Sequence, residues 1–159
     1  MRLPGYNYNM PGCYFITICT RERRNLLCQI TDADLLEGPE IRFSAHGKIA
    51  QKQLEEMAAF YDGIRLAKYV IMPNHIHLIL QVTECGSGPS GRPVPTDTKI
   101  SRFVGTFKRL CNRQYGYNIW QNRSHDHVIR GEKDFQRIWE YIENNPAKWA
   151  EDCFYTEEM

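Results

Sequence analysis

The stretch Tyr69-Val70-Ile71-Met72-Pro73-Asn74-His75-Ile76-His77-Leu78-Ile79-Leu80 restricts the fold more than any other part of the chain. It reads as a buried strand, with Pro73 at a bulge or at the strand's start. Residues i and i+2 of a strand share a face, so His75 and His77 project together from one side. Ile76, Leu78 and Leu80 then point to the other side, into a core. A lone histidine on a strand is commonly a hydrogen-bonded core residue. A pair is harder to accommodate, because two polar rings on one face both need partners. Two imidazoles held side by side on a rigid strand make half of a divalent metal site, which needs a third ligand from elsewhere.

With 159 residues, 42% hydrophobic and 25% charged, the chain suits one soluble domain spanning residues 1–159. No apolar run is long enough to span a membrane, and Met1 to Tyr6 lack a signal-peptide core, so a cytoplasmic location is expected. The six cysteines show no C-x-x-C spacing and read as reduced, with Cys13, Cys19 and Cys111 on apolar faces. The net charge is only +1, yet the cations cluster. Arg21, Arg23 and Arg24 sit together, and Arg102, Lys108, Arg109, Arg113, Arg123 and Arg130 crowd the second half. Clustered cations suffice for nucleic-acid binding whatever the net charge.

Strands are expected at residues 13–20 and, briefly, at 26–30; residues 31–45 read as an edge region with turns. Ala50, Leu54, Met57, Ala58 and Tyr61 recur at helical spacing between Gly47 and Tyr61. Residues 83–98 hold three glycines and three prolines and read as a flexible loop. A second helix over 99–114 carries an apolar stripe of Ile100, Phe103, Val104, Phe107, Leu110 and Cys111. At about 100° per residue, Arg102, Arg109 and Arg113 fall in one narrow arc opposite it. Such a face can be merely solvated, but arginine forks without an acid beside them suit phosphate. A strand or loop over 119–129 includes His125-Asp126-His127, a second metal-like cluster. The last helix starts near Glu132, uses Phe135, Ile138, Trp139 and Ile142 as its stripe, and stops at Pro146. The order of elements fits an α+β fold, with helices on one face of a largely antiparallel sheet.

On that last helix Tyr141 and Asn145 stand four residues apart, on one side and at the edge of the stripe. There a phenol and an amide oxygen can meet the paired histidines. A core-rim tyrosine and a helix-terminal asparagine would look the same. Tyr115 and Tyr117 are rival nucleophiles, but they flank a glycine and lack an amide partner four residues on.

The segment Val70-Ile71-Met72-Pro73-Asn74-His75-Ile76-His77 resembles the His-hydrophobe-His motif of the HUH endonuclease superfamily. Tyr141-Ile142-Glu143-Asn144-Asn145-Pro146 resembles the catalytic helix of its single-tyrosine transposases. Leu3-Pro4-Gly5-Tyr6, Pro11 to Thr17, Trp120-Gln121 and His127 to Arg130 are similar to the same family, specifically to REP-associated tyrosine transposases. The resemblance implies a ferredoxin-like (RRM-like) fold, Mg²⁺ or Mn²⁺ dependence, and single-stranded or hairpin DNA as substrate. It implies that Tyr141 attacks a phosphodiester and becomes linked to the 5′ phosphate. His75, His77 and Asn145 are then the metal ligands. Arg102, Lys108, Arg109, Arg113, Arg123 and Arg130 are the expected DNA contacts. That donor set holds no carboxylate or thiolate, which argues against structural zinc. A monomer and a homodimer are both compatible, and the enzyme would work at the nucleoid. A hairpin-binding protein without cleavage, a replication-initiator or relaxase-type nickase, and a zinc hydrolase are the alternatives.

Overall fold

A computed structural model describes residues 12–31, 39–61, 63–82 and 96–152. The strands are β1 (Cys13–Cys19), β2 (Cys28–Thr31), β3 (Glu40–Phe43), β4 (Ile64–Ile71), β5 (His75–Val82) and β6 (His125–Val128). The helices are α1 (Ala45–Phe60), α2 (Thr96–Tyr115) and α3 (Gly131–Asn144), with 3₁₀ turns at Arg21–Arg23 and Pro146–Glu151. Four strands form an antiparallel sheet in the order β4-β5-β1-β6, and β2 pairs with β3 apart from it. Without the β2–β3 hairpin the order is β-α-β-β-α-β, with the first and third strands of the sheet at its centre. This is the ferredoxin-like arrangement expected from the sequence.

The alternation along β5 is as the sequence implies. Ile76, Leu78 and Leu80 enter the larger core with Tyr14, Ile16 and Ile18 of β1. Helices α1 and α2 cover this face through Ala50, Leu54, Met57, Ile100, Phe103, Val104 and Phe107. The opposite face is also covered. Phe135, Ile138 and Ile142 of α3 pack on Cys13 and Ile79, forming a second core. The expectation of helices on one face therefore holds for α1 and α2 and needs amending for α3. A central strand with apolar residues on both sides has two faces to bury.

Three further boundaries differ from the sequence reading. Residues 69–80 are not one strand: Pro73 and Asn74 form the turn between β4 and β5, closed by Met72 N donating to the His75 carbonyl at 2.8 Å. Proline lacks an N–H and is tolerated in a turn, whereas the uninterrupted apolar pattern hides the reversal. Residues 40–43 are a strand rather than only turns. Residues 96–98 belong to α2; the rest of the expected loop, 83–95, lies outside the described residues.

The β2–β3 hairpin is fastened to the main sheet by backbone. Leu27 N donates to the Pro73 carbonyl (3.0 Å), and Ser44 N donates to the Leu27 carbonyl (3.0 Å). Ser44 then caps α1, its Oγ accepting from Gly47 N at 3.0 Å. A Cβ on Gly47 would stand 1.9 Å from the Leu27 carbonyl oxygen. Gly47→Ala should thus destabilise the protein by about 1–3 kcal/mol through overpacking, despite alanine's better helix propensity. Urea denaturation checks this, and an unchanged or raised midpoint would contradict the packing described.

Candidate metal centre and tyrosine cleft

Register places the histidines. Antiparallel pairing sets Thr17 of β1 opposite His77 and Cys19 opposite His75. Both rings are fully buried, with centroids 4.4 Å apart. Asn74, in the turn, donates from Nδ2 to the Arg23 carbonyl (3.3 Å), which orients its amide. Its Oδ1 therefore faces His75 Nδ1 at 2.8 Å. An amide oxygen only accepts, so His75 Nδ1 carries the proton and the Nε2 lone pair is left to face a ligand. His77 Nδ1 is likewise engaged, with Thr17 Oγ1 at 2.9 Å. Partners on Nδ1 that orient a ring for coordination through Nε2 are a common feature of metal sites.

Electrostatics keeps both rings neutral. Burial pushes the His75 pKa down to about 4, aided by Arg23 and opposed by Asp152 and Asn145. Burial, then the neighbouring His75, lowers His77 well below its ordinary value. Neutral imidazoles with aimed lone pairs are ligands rather than proton stores at neutral pH.

Asn145, expected as the third ligand, is at the C-terminus of α3 and is buried. Its Nδ2 donates to Asp152 Oδ2 at 2.9 Å, while its Oδ1 is buried with no hydrogen-bond partner among the described residues. Leaving an amide oxygen so costs about 1–3 kcal/mol, and a cation would recover it. Asp152 itself was not foreseen. Its side chain is 0% exposed, and Oδ2 lies 3.8 Å from His75 Nε2. One potential ligand atom from each of His75, His77 and Asp152 falls within 4.8 Å of the others. The donors are thus two imidazoles, an amide oxygen and a carboxylate, which fits a divalent cation of mixed nitrogen and oxygen preference. Asp152 thus adds a candidate carboxylate to the expected set of His75, His77 and Asn145, and with a carboxylate beside the histidines the donor types no longer argue against zinc. Asp152 follows the Pro146–Glu151 turn, whose Trp149 packs against His75 at 6.0 Å between ring centroids. That buried tryptophan, three residues ahead of an acid, was the available signal.

Tyr141 projects beside this centre. Its ring is 5.3 Å from that of His77 and 6.2 Å, edge-on, from that of Phe15. It remains 40% exposed. It opens onto a cleft of about 380 Å³ shared with Arg137, Glu140, Asn144, Asn145, Lys148 and Asp152.

The other expected residues are distributed. Lys108, Arg109 and Arg113 line a second cavity along α2, and Arg102 is exposed on the same helix. Arg123 is exposed ahead of β6, and Arg130 is exposed at the start of α3. The His125-Asp126-His127 cluster is split by strand alternation on the exposed β6. His127 Nε2 pairs instead with Asp134 at 2.9 Å. Among the described residues, His75, His77 and Asp152 are the group of ionisable ligands close enough to share a cation.

A paired-histidine strand at the centre of a ferredoxin-like sheet, faced by a helix-borne tyrosine, is the arrangement that the resemblance to HUH single-tyrosine proteins implies. No family model matches the chain. A Haemophilus influenzae protein of uncharacterised function is 30% identical over 172 aligned residues, covering 99% of this chain and 92% of the relative. The REP-associated tyrosine transposase of Escherichia coli K12 is 28% identical, covering 89% of this chain and 70% of the relative. Among solved structures, a REP-associated tyrosine transposase bound to a REP hairpin superposes with a TM-score of 0.61 at 23% identity, covering 93% of this chain and 74% of that one. The chain is thus similar in sequence to REP-associated tyrosine transposases and shares the fold of one.

The Asp134 pair yields a test of this side of the molecule. Burial raises the Asp134 pKa, but hydrogen bonds from Arg130 N, His127 and Arg137 outweigh it and lower the value from 3.8 to about 2. A folded pKa below the unfolded one adds stability above the unfolded value, and the gain is lost as pH falls through the folded one. Wild type should therefore melt above Asp134→Asn at neutral pH, with the gap closing between pH 3.8 and about 2. Thermal melts across that window check it, and a constant gap would contradict the assignment.

Proposed function

We propose that the protein is a metal-dependent DNA transposase that nicks and rejoins single-stranded hairpin DNA through a covalent 5′-phosphotyrosine. The observation that carries this is the placement of the Tyr141 ring 5.3 Å from His77, at the mouth of a cleft bounded by Asn145 and Asp152. The hairpin is suggested by the solved relative, which was bound to one. In this reading the protein works in the cytoplasm, on DNA of the nucleoid.

His75, His77, Asn145 and Asp152 would hold Mg²⁺ or Mn²⁺, and the two nitrogen donors favour Mn²⁺. Such a cation, when bound, neutralises charge on the scissile phosphate and on the leaving oxygen. Tyr141 supplies the nucleophile. Its phenol oxygen forms a bond to phosphorus as the bond to the 3′ oxygen breaks. The phenol proton goes to solvent, and the 3′ oxygen leaves as a hydroxyl. The phosphotyrosine keeps the bond energy, so a 3′-OH of another strand can reverse the step without ATP. Phe15 and His77 flank the phenol ring and restrict its travel, while Arg137 and Lys148 line the cleft as cations for flanking phosphates.

Purified protein, Mn²⁺ and a labelled hairpin copied from repeats beside its own gene should give an SDS-resistant adduct. Tyr141→Phe should abolish the adduct and leave hairpin affinity unchanged. His77→Ala and Asp152→Asn should weaken Mn²⁺ binding by at least the roughly 10–100-fold that second-shell changes cost in metal sites. Calorimetry or quenching of Trp149, beside His75, reads that loss. An adduct surviving in Tyr141→Phe, or wild-type Mn²⁺ affinity in His77→Ala, would overturn the corresponding role.

A further inference from the structure

The carboxyl end of α2 carries a second built cavity, of about 580 Å³. Lys108, Arg109 and Arg113 form one side of it, and the 116–122 segment forms the other. Among the described residues, Arg109 and Arg113 make no ion pair. No carboxylate among the described residues lines the cavity. Its wall is fixed by Asn112 Nδ2 donating to Asn118 Oδ1 (2.9 Å), and by Lys108 Nζ donating to the Gln121 carbonyl (2.9 Å).

Two observations point to a flat ligand. Tyr117 is 55% exposed on this cavity, yet it is held: its hydroxyl bonds His46 Nε2 at 2.9 Å. His46 is itself clamped, its ring 4.7 Å from that of Tyr115 and its carbonyl accepting from Tyr115 Oη at 2.6 Å. Burial does not explain an exposed ring held in one orientation, but a stacking partner does. The other observation is Gly105, which lines the cavity from the interior of α2. Among the described residues a Cβ there would meet nothing within 4 Å, so no contact with them requires glycine. Glycine inside a helix sacrifices stability, and it lets a ligand approach the backbone.

We infer that this cavity takes one nucleotide of single-stranded DNA, its base stacked on Tyr117 and its phosphates on Arg109 and Arg113. The inference deepens the proposed function and rests on it for the choice of DNA. The volume is that of a small-ligand site. Sequence-tolerant stacking beside cations is the general means of holding single strands. Position supports it as well. The Cys19 carbonyl accepts from Gln121 N, and Cys19 is paired with His75. The cavity and the histidines therefore lie at the same end of β1. The exposed Arg21, Arg23 and Arg24 follow immediately in the chain.

The test uses full-length Tyr141→Phe protein and a fluorescent single-stranded thymidine oligonucleotide of about 20 nucleotides, long enough to fill a binding site. Tyr117→Ala should weaken binding about five- to a hundred-fold, and Tyr117→Phe, which keeps the ring, should restore most of it. Gly105→Ala should raise the melting temperature yet lower DNA affinity, a combination that a purely structural glycine would not show. An oligonucleotide carrying 5-iododeoxyuridine should photocrosslink at Tyr117. Unchanged affinity in Tyr117→Ala, no crosslink there, or no binding of the oligonucleotide at all would overturn the inference. The adduct assay separates the two readings. An adduct formed by Tyr117→Ala at undiminished DNA affinity would sink the pocket alone. A Tyr117 crosslink without any wild-type adduct would sink the cleavage reading alone.

Discussion

The pairing of β5 with β1 is the constraint on which the rest of the structure depends. A strand has a period of two, so slipping this register by one residue would send His75 and His77 among Phe103 and Phe107 and turn Ile76 and Leu78 toward α3. Burying two uncompensated imidazoles there, and stranding large aliphatics opposite, is costly enough to exclude the slip. The same register seats Thr17 against His77 and, through the turn at Pro73 and Asn74, an amide against His75. Placement, tautomer and orientation of both rings thus follow from one set of ladder hydrogen bonds on the two central strands.

Charge compensation accounts for how the C-terminal segment is folded. The Asp152 side chain is fully buried beside two neutral rings, and the Asn145 amide donates to it. A buried carboxylate in such surroundings is tolerated when charge of the opposite sign is near, and the same amide turns its orphaned oxygen to the protein interior. The turn that delivers Asp152 is secured by Trp149 against His75 and by Pro146 at its start. Packing brings the donors together, and electrostatics makes a cation the natural completion of the set.

Much of this was legible in the chain, and the parts that were not share a cause. The His-x-His alternation and the stripes of α2 and α3 are local patterns of fixed period, so they survive without tertiary information. Tyr141 and Asn145 share a helix side for the same reason. The β4–β5 turn was hidden because apolar residues run up to it from both sides. Strand β3 is short and half polar, and its pairing with β2 depends on contacts to Leu27 and Gly47. Asp152 was invisible as a ligand because the 3₁₀ turn that it follows has no sequence period, and an acid outside regular structure usually meets water. The second face of the sheet was missed because β5 shows His75, His77, Ile79 and Gln81 there, and one apolar residue among four does not announce a helix.

The distribution of cations shows why a net charge of +1 is compatible with a polyanionic partner. Electrostatic attraction to a phosphate chain depends on local potential, which within a Debye length of about 8–10 Å is set by the nearest charges rather than by the sum. Arg137 and Lys148 stand at the tyrosine cleft, and Lys108, Arg109 and Arg113 at the α2 cavity. Ahead of both in the chain, the turn after β1 holds Glu22 and Arg23 at φ of 57° and 53°, a conformation costly for non-glycine residues. That turn is anchored by Arg21 N donating to the Ile119 carbonyl and by Arg23 O accepting from Asn74. The strained turn therefore joins the wall of the α2 cavity to the residue that orients His75. Backbone strain of this kind persists only where surrounding bonds hold it, and here those bonds tie the basic end of β1 to the 116–122 wall and to the histidine pair.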